Sequence, residues 1–302
     1  MNLLPYIFVL LAAMLWGTVG TTQTFLEEGV SSIAVGGVRS LIGGGLLLIV
    51  AIGMRKINLK TWSWKWTLLA ALTIALFQSL FFTSVRFTGV AVGTVVTIGS
   101  SPVFSGIIEW LIWKRRPNKV WGIATVLSIV GSILLFVNKG EATINPIGIL
   151  LALCAGVMFA LYTNCSKQLT EKEETLPAVA MTFTLCAIML LPFSQDGVSW
   201  VFTGQNLIPM LFMGLAGTSL AYIFYLAGLE KISSSSAVTL SLAEPLTASL
   251  LGVFLLNEYL SPTSWIGVAM LLGGIIVLTV GGKRASGKSV DPVPVVEDVN
   301  KS

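Results

Sequence analysis

Apolar residues in this chain come in blocks near 20 residues long, separated by short charged clusters. A helix needs about 20 residues to cross ~30 Å of hydrocarbon at 1.5 Å per residue. The pattern predicts ten spans, at 5–25, 32–53, 66–86, 90–112, 119–137, 146–166, 177–193, 207–228, 233–256 and 263–281. Breakers fall between them: Asn145-Pro146 opens the sixth span and Ser261-Pro262 precedes the tenth. The first block, Pro5 to Thr24, follows a Met1–Leu4 segment with no basic residue, so it reads as a retained helix rather than a cleaved signal.

Ten spans with the N-terminus inside sort the basic residues sharply. One side receives Arg55, Lys56, Lys60, Lys65, Lys114, Arg115, Arg116, Lys119, Lys167, Lys172, Lys231, Lys283, Arg284, Lys288 and Lys301. The other receives only Arg86 and Lys139, while Arg39 lies inside the second span. Fifteen against two is a positive-inside bias that predicts cytoplasmic termini and supports an even number of spans.

Composition removes alternatives. Of 302 residues 55% are hydrophobic and 11% charged, against roughly 25% charged in a soluble domain. The net charge of +4 is dispersed between spans and in the tail, with no basic stripe to track a nucleic acid. Histidine is absent, which removes Ser-His and Cys-His catalysis and histidine-held zinc or haem. The aspartates, Asp196, Asp291 and Asp298, lie outside the apolar blocks, so a paired-aspartate intramembrane protease is excluded. Cys154, Cys165 and Cys186 sit within or at the ends of apolar runs and read as small core residues. No GxxxxGK[ST] motif is present. The chain therefore reads as no enzyme, with no cofactor and no metal.

An internal repeat organises the rest. An offset of 143 carries Ala13 and Gly17 onto Gly156 and Ala160, Trp16 onto Phe159, Phe82 onto Tyr225, Pro102 onto Pro245 and Ser105 onto Ala248. The expected units are 1–137 and 146–282, joined by a linker at 138–145, with a disordered cytoplasmic tail at 283–302. Five spans per unit is odd, so the second copy enters the membrane upside down. The fold class is thus an all-α membrane protein of ten transmembrane helices in two inverted five-helix repeats, an organisation many secondary transporters use.

The stretch LLAAMLWG in the first span, GVAVGTVVTIGSSPVFSGIIEWLIWKRRP through the fourth, and YLAGLEKISSSSAVTLSLAEPLTASLLGVFLLNEYLSPTSWIGVAMLLGGIIVL in the second half resemble the EamA-domain transporters of the drug/metabolite transporter superfamily. The resemblance covers about residues 8–281 and is most specific around Glu244 and at Asn257-Glu258. It implies ten helices, a central cavity, and movement of amino acids, other metabolites or toxic compounds, often outward. It fixes no substrate. One departure is Lys114-Arg115-Arg116 in the first half, where the second half has Asn257-Glu258.

Polar residues in mid-span are the candidate chemistry. Glu244 sits near the middle of the ninth span, where a charge costs on the order of 2.5–3.5 kcal/mol and desolvation favours the neutral acid. Pro245 removes a backbone donor and is expected to leave the Ser241 carbonyl open for a ligand. A titratable carboxyl beside a broken helix suits proton coupling or an amine substrate; a protonated Glu that locks helices together is the alternative. Thr94, Thr97, Ser101 and Ser105, at i, i+3, i+7 and i+11, form one hydroxyl face on the fourth span, either lining a wet cavity or packing helices closely.

Trp16, Gln78 and Tyr222 add an aromatic platform and an amide for a small amphipathic or zwitterionic solute, with cation–π attraction open to an amine. Arg39, about two turns into its span, either gates the path or snorkels to the surface. Glu109 is expected to pair with the basic loop after the fourth span.

The substrate-binding set is therefore Glu244, Trp16, Gln78, Ser101, Thr97 and Tyr222, with Glu244 and Arg39 as coupling or gating residues. The expected function is secondary transport of a small solute in a cell membrane, outward and by alternating access; a passive channel or facilitator is the competing reading. The expected partners are the lipid bilayer, the solute and a proton as coupling ion, with no nucleic acid. A homodimer is left open.

Overall fold

A computed structural model describes residues 3–23, 25–27, 29–136, 145–194, 198–256 and 259–286. Lys139 and most of the 138–145 linker, Asn257-Glu258, and the tail beyond Ser286 lie outside the described residues. Ten helices among the described residues are long and apolar enough to cross a membrane. They are α1 (Leu4–Gln23), α2 (Ser32–Gly53), α3 (Trp64–Gly89), α4 (Val92–Trp113), α5 (Lys119–Phe136), α6 (Pro146–Thr170), α7 (Thr175–Phe193), α8 (Leu207–Leu229), α9 (Ser234–Phe254) and α10 (Pro262–Gly281). The last helix continues beyond its crossing to Ser286, past the expected boundary at 282.

Local chemistry sets the ends. Asn145 caps α6, its Oδ1 accepting from Ile147 N–H (3.0 Å) and Gly148 N–H (3.2 Å), with Pro146 in the first turn where no donor is needed. Ser233 caps α9 through Ser236 N–H (3.2 Å). Lys114 closes α4 in a left-handed conformation (φ 57°). α3 and α4 follow one another with only a break at Gly89, whose φ of 78° is accessible to glycine at little steric cost.

Helix pairing obeys the repeat. The offset relates α1 to α6, α2 to α7, α3 to α8, α4 to α9 and α5 to α10. α2 packs along its own mate α7, and α5 along its mate α10. α1 packs on α8 and α9, while α6 packs on α3 and α4, which is the same arrangement with the halves exchanged. The α5–α10 crossing shows the two-fold at atomic scale. A Cβ at Gly131 would fall 2.8 Å from Gly267 O, and one at Gly274 2.8 Å from Ala124 O. Gly274 is the mate of Gly131 and Ala124 the mate of Gly267, so one backbone contact occurs twice. The small-residue faces predicted on α1 and α6 serve the same end: Gly17 meets Glu244 O and Thr247, and Gly156 meets Thr97 O.

α9 departs from its mate. It is helical over Ser234–Leu240, unwinds at 241–242, and resumes at Ala243. α8 contains a wider turn at Leu215–Leu220, where Thr218 and Ser219 hydroxyls donate back to Met213 O (3.1 Å) and Gly214 O (3.2 Å).

Candidate functional site

Between the repeats lies a cavity of about 600 Å³. Its inner wall is aromatic. Trp16 of α1 stands 4.8 Å from the Tyr222 ring, 5.0 Å from Tyr225 and 6.1 Å from its own repeat mate Phe159; Phe77 reaches Phe159 at 5.1 Å. These rings come from α1, α3, α6 and α8, so both repeats contribute. Offset and edge contacts of this kind leave ring faces and edges to meet a ligand.

The polar groups of the cavity sit at the level of that wall. Gln78 on α3 is 2% exposed and spends its amide in both directions. Its Oε1 accepts from Arg39 Nε (3.2 Å) and Nη2 (3.0 Å), and its Nε2 donates to Cys186 Sγ (3.3 Å). A buried amide needs such partners, and here they fix the guanidinium of Arg39 inside the protein. Arg39 therefore points inward and does not snorkel to the surface. Glu244 lines the same cavity. Among the described residues no cation lies within 4.0 Å of its carboxyl, so the acid is not consumed by an ion pair.

The backbone around Glu244 corrects one expectation. The Ser241 carbonyl is not open to a ligand: Glu244 N–H donates to it (2.9 Å), and Leu242 N–H donates to Thr239 O (3.2 Å). The unwound step closes as tight i→i+3 turns, which reabsorb the group that Pro245 would have orphaned. Pro245 then lies in the first turn of the resumed helix rather than in mid-helix.

Of the seven expected binding and gating residues, six, Trp16, Arg39, Gln78, Ser101, Tyr222 and Glu244, line this one cavity. Thr97 does not. It is fully buried and its Oγ1 donates to Ala152 O of α6 (3.1 Å). Ser105 likewise meets Asn164 Nδ2 of α6 (3.1 Å). The hydroxyl face of α4 is thus split: Thr94 and Ser101 reach the cavity, Thr97 and Ser105 hold α6. Glu109 does not pair with the basic loop; its Oε2 accepts from Ser235 N–H (3.2 Å).

The cavity reaches one end of the helix bundle. Its wall on α1 runs from Trp16 through Gly20 and Thr21 to Gln23, and it includes Ser32 and the exposed Arg86. No residue of the 54–63, 114–118, 171–174 or 229–235 connections lines it. It opens toward the α1–α2 and α3–α4 connections and, among the described residues, is closed toward the other end.

The profile of the EamA-like transporter family matches residues 3–137 and again 146–280. The chain belongs to the EamA-like transporter family. It is 44% identical over 279 residues to the uncharacterized transporter YwfM of Bacillus subtilis strain 168, covering 92% of this chain and 94% of that one. Protein PecM of Dickeya dadantii is 27% identical, with 95% and 96% covered. The uncharacterized inner membrane transporter YicL of Salmonella typhimurium is also 27% identical, with 91% and 95% covered. A crystal structure of a protein 16% identical superposes with a TM-score of 0.80 over 93% of this chain and 98% of that one, and so shares the fold.

As a member of the EamA-like family the protein is a multi-pass membrane transporter, and its cavity holds residues that the sequence reading missed. Phe77, Phe81 and Phe82 on α3 and Phe159 on α6 complete the wall, and Arg86 stands at the mouth. The phenylalanines carried no signal, because in an apolar helix a lining ring and a lipid-facing ring look alike. Phe159 was reachable as the repeat mate of Trp16. Arg86 was counted only toward topology.

Proposed function

We propose that the protein is a secondary transporter that exports a small metabolite, of the amino acid, amine or drug-like kind, by alternating access. The observation that carries this reading is a cavity between inverted repeats, open at one end and, among the described residues, closed at the other, with Glu244 and Arg39 in its wall. An inverted pair of five-helix units can exchange conformations, which exposes the same central site to the opposite side. The closed end argues for a carrier over a passive channel, whose path would run through. The bias of fifteen basic residues against two supports a cytoplasmic side for the closed end and both termini, and on that orientation this conformation faces outward.

Glu244 supplies the coupling in this proposal. A carboxyl in a cavity that binds either a proton or a cationic group, and not both, turns two binding events into an exchange. A proton taken from outside displaces the bound amine, and an inward proton gradient then drives export. Arg39, held by Gln78, balances the charge and orients an anionic group if the solute carries one. The aromatic wall accepts its apolar part.

The test compares medium from cells expressing wild type and Glu244→Gln by untargeted mass spectrometry, followed by counterflow of the identified solute in proteoliposomes. A metabolite enriched outside wild-type cells alone, with saturable counterflow, is expected. Unsaturable flux without counterflow overturns the carrier, and unchanged transport with unchanged pH dependence in Glu244→Gln overturns the coupling role.

A further inference from the structure

The two ends of the molecule hold their connections differently, and the repeat makes the difference exact to the residue. At both ends the connection between α2 and α3, or its mate between α7 and α8, is pinned to the opposite half. Ser63 N–H donates to Glu173 Oε1 (2.8 Å) at the closed end. At the open end Asn206, the mate of Ser63, donates through Nδ2 to Glu27 Oε2 (3.1 Å) and accepts from Glu27 N–H (3.0 Å). These pins are common to both ends and so cannot decide which end is open; the exposed Lys56–Glu174 ion pair, which joins the same connections at the closed end, is a weak surface contact.

The α8–α9 connection is held by further groups: Thr175 Oγ1 donates to the Glu230 carboxylate (2.9 Å), and two charged side chains grip its backbone. Lys167 of α6 donates from Nζ to Leu229 O (2.6 Å) and Glu230 O (2.9 Å), the last carbonyls of α8. Glu109 of α4, 6% exposed, accepts from Ser235 N–H in the first turn of α9 (3.2 Å). A cation thus sits on a helix C-terminus and an anion on a helix N-terminus, each the sign that completes the unpaired backbone groups there. One clamping group comes from each repeat. The mate of the clamped connection is 86–92, between α3 and α4. The mates of the clamping groups are Thr24 for Lys167 and Gly252 for Glu109. Neither can supply a charge, and Gly252 and Arg86 both line the open cavity.

We infer that Glu109 and Lys167 are gate residues of the transporter: together they clamp the α8–α9 connection shut, and the described residues at the opposite end show no equivalent pair. The inference rests on the alternating-access reading above. It assigns the bias toward the conformation described here to two side chains that do not line the substrate cavity. A polar recess of about 340 Å³ beside the pair, lined by Arg115, Lys231 and Ser236 among others, gives water a place to solvate both charges as they part.

The test is amide hydrogen exchange of the full chain in lipid nanodiscs, read at the 229–236 and 86–92 connections. Glu109→Ala and Lys167→Met are expected to speed exchange at 229–236 roughly fivefold to tenfold, the scale of a lost helix cap, and to slow it at 86–92 as the opposite end closes. Lys167→Arg, which keeps a cationic donor, is expected to retain wild-type exchange at both. Faster exchange at 229–236 with no change at 86–92 makes the two residues simple loop caps and overturns the gate assignment, as does no change at either. Moving wild type from neutral to acidic buffer separates the two readings. Reciprocal change there, without it in the variants, removes the gate and leaves alternating access. No reciprocity in any sample removes alternating access itself.

Discussion

α4 and α9 are copies of one helix, each with a proline at the same repeat position, and they have come apart in what that proline does. Pro102 sits inside an uninterrupted α4, where the neighbouring Ser101 hydroxyl donates to Thr97 O (2.7 Å) and the helix runs on to Trp113. Pro245 follows a step at 241–242 and lies in the first turn of a new helical segment. The Ser241 hydroxyl donates to Val238 O (2.7 Å), so the serine closes off the preceding segment. Position 101 is Ser in one copy and its mate 244 is Glu in the other. A carboxylate at a helix start is favoured by the unpaired amides and the dipole there, whereas the same group in mid-α4 would have neither. The backbone break and the acid belong together. What the comparison teaches is that the repeat conserves helix order and pairing while leaving each copy its own local chemistry.

The largest way to break the comparison is the Glu244→Gln exchange described above, which is expected to abolish coupled transport while Ser101→Ala leaves it within about threefold, since Ser101 satisfies its own helix. Next comes Gln78→Leu. It removes both acceptor contacts to Arg39 and strands the guanidinium in the cavity wall; transport is expected to fall by about tenfold or more, read as kcat/KM in proteoliposomes. The prolines should then separate. Pro102→Ala restores a donor to a continuous helix and is expected to raise stability by about 1–3 kcal/mol, seen as a higher melting temperature. Pro245→Ala, in a first turn where no donor is missed, is expected to change stability by less than about 1 kcal/mol. Smallest is Thr97→Val, which loses one hydrogen bond to Ala152 O at about 1 kcal/mol and leaves transport unchanged if Thr97 only holds α6.

Much of this arrangement was legible in the sequence, for reasons that apply to membrane proteins in particular. Spans are visible because hydrocarbon demands long apolar runs, and a duplication shows itself in a constant offset. A mid-span Glu, Arg or Gln has nowhere to go but inward, which is why Arg39, Gln78 and Glu244 lie around one cavity. Thr97 and Ser105 were not legible as packing residues. A hydroxyl stripe names a helix face but not the neighbour covering it, and α6 covers half of this one. The Ser241 carbonyl was misjudged because a proline rule counts one lost bond and not the tighter turn that replaces it. Glu109 was assigned to the nearest basic residues in sequence, whereas a buried carboxylate is satisfied equally well by a backbone amide from a distant helix start.

Duplication inside one chain has a consequence that a pair of identical half-sized chains could not share. Two identical subunits inserted in opposite directions would be bound by symmetry to present every group twice, so a carboxyl on one would appear on the other and a lock at one face would appear at both. Once the two halves are joined by a linker, each is inherited as its own text. Ala124 can stand opposite the role of Gly267, Ser101 opposite Glu244 and Glu109 opposite Gly252. The asymmetry between the two halves is open to one joined chain and closed to a pair of identical ones.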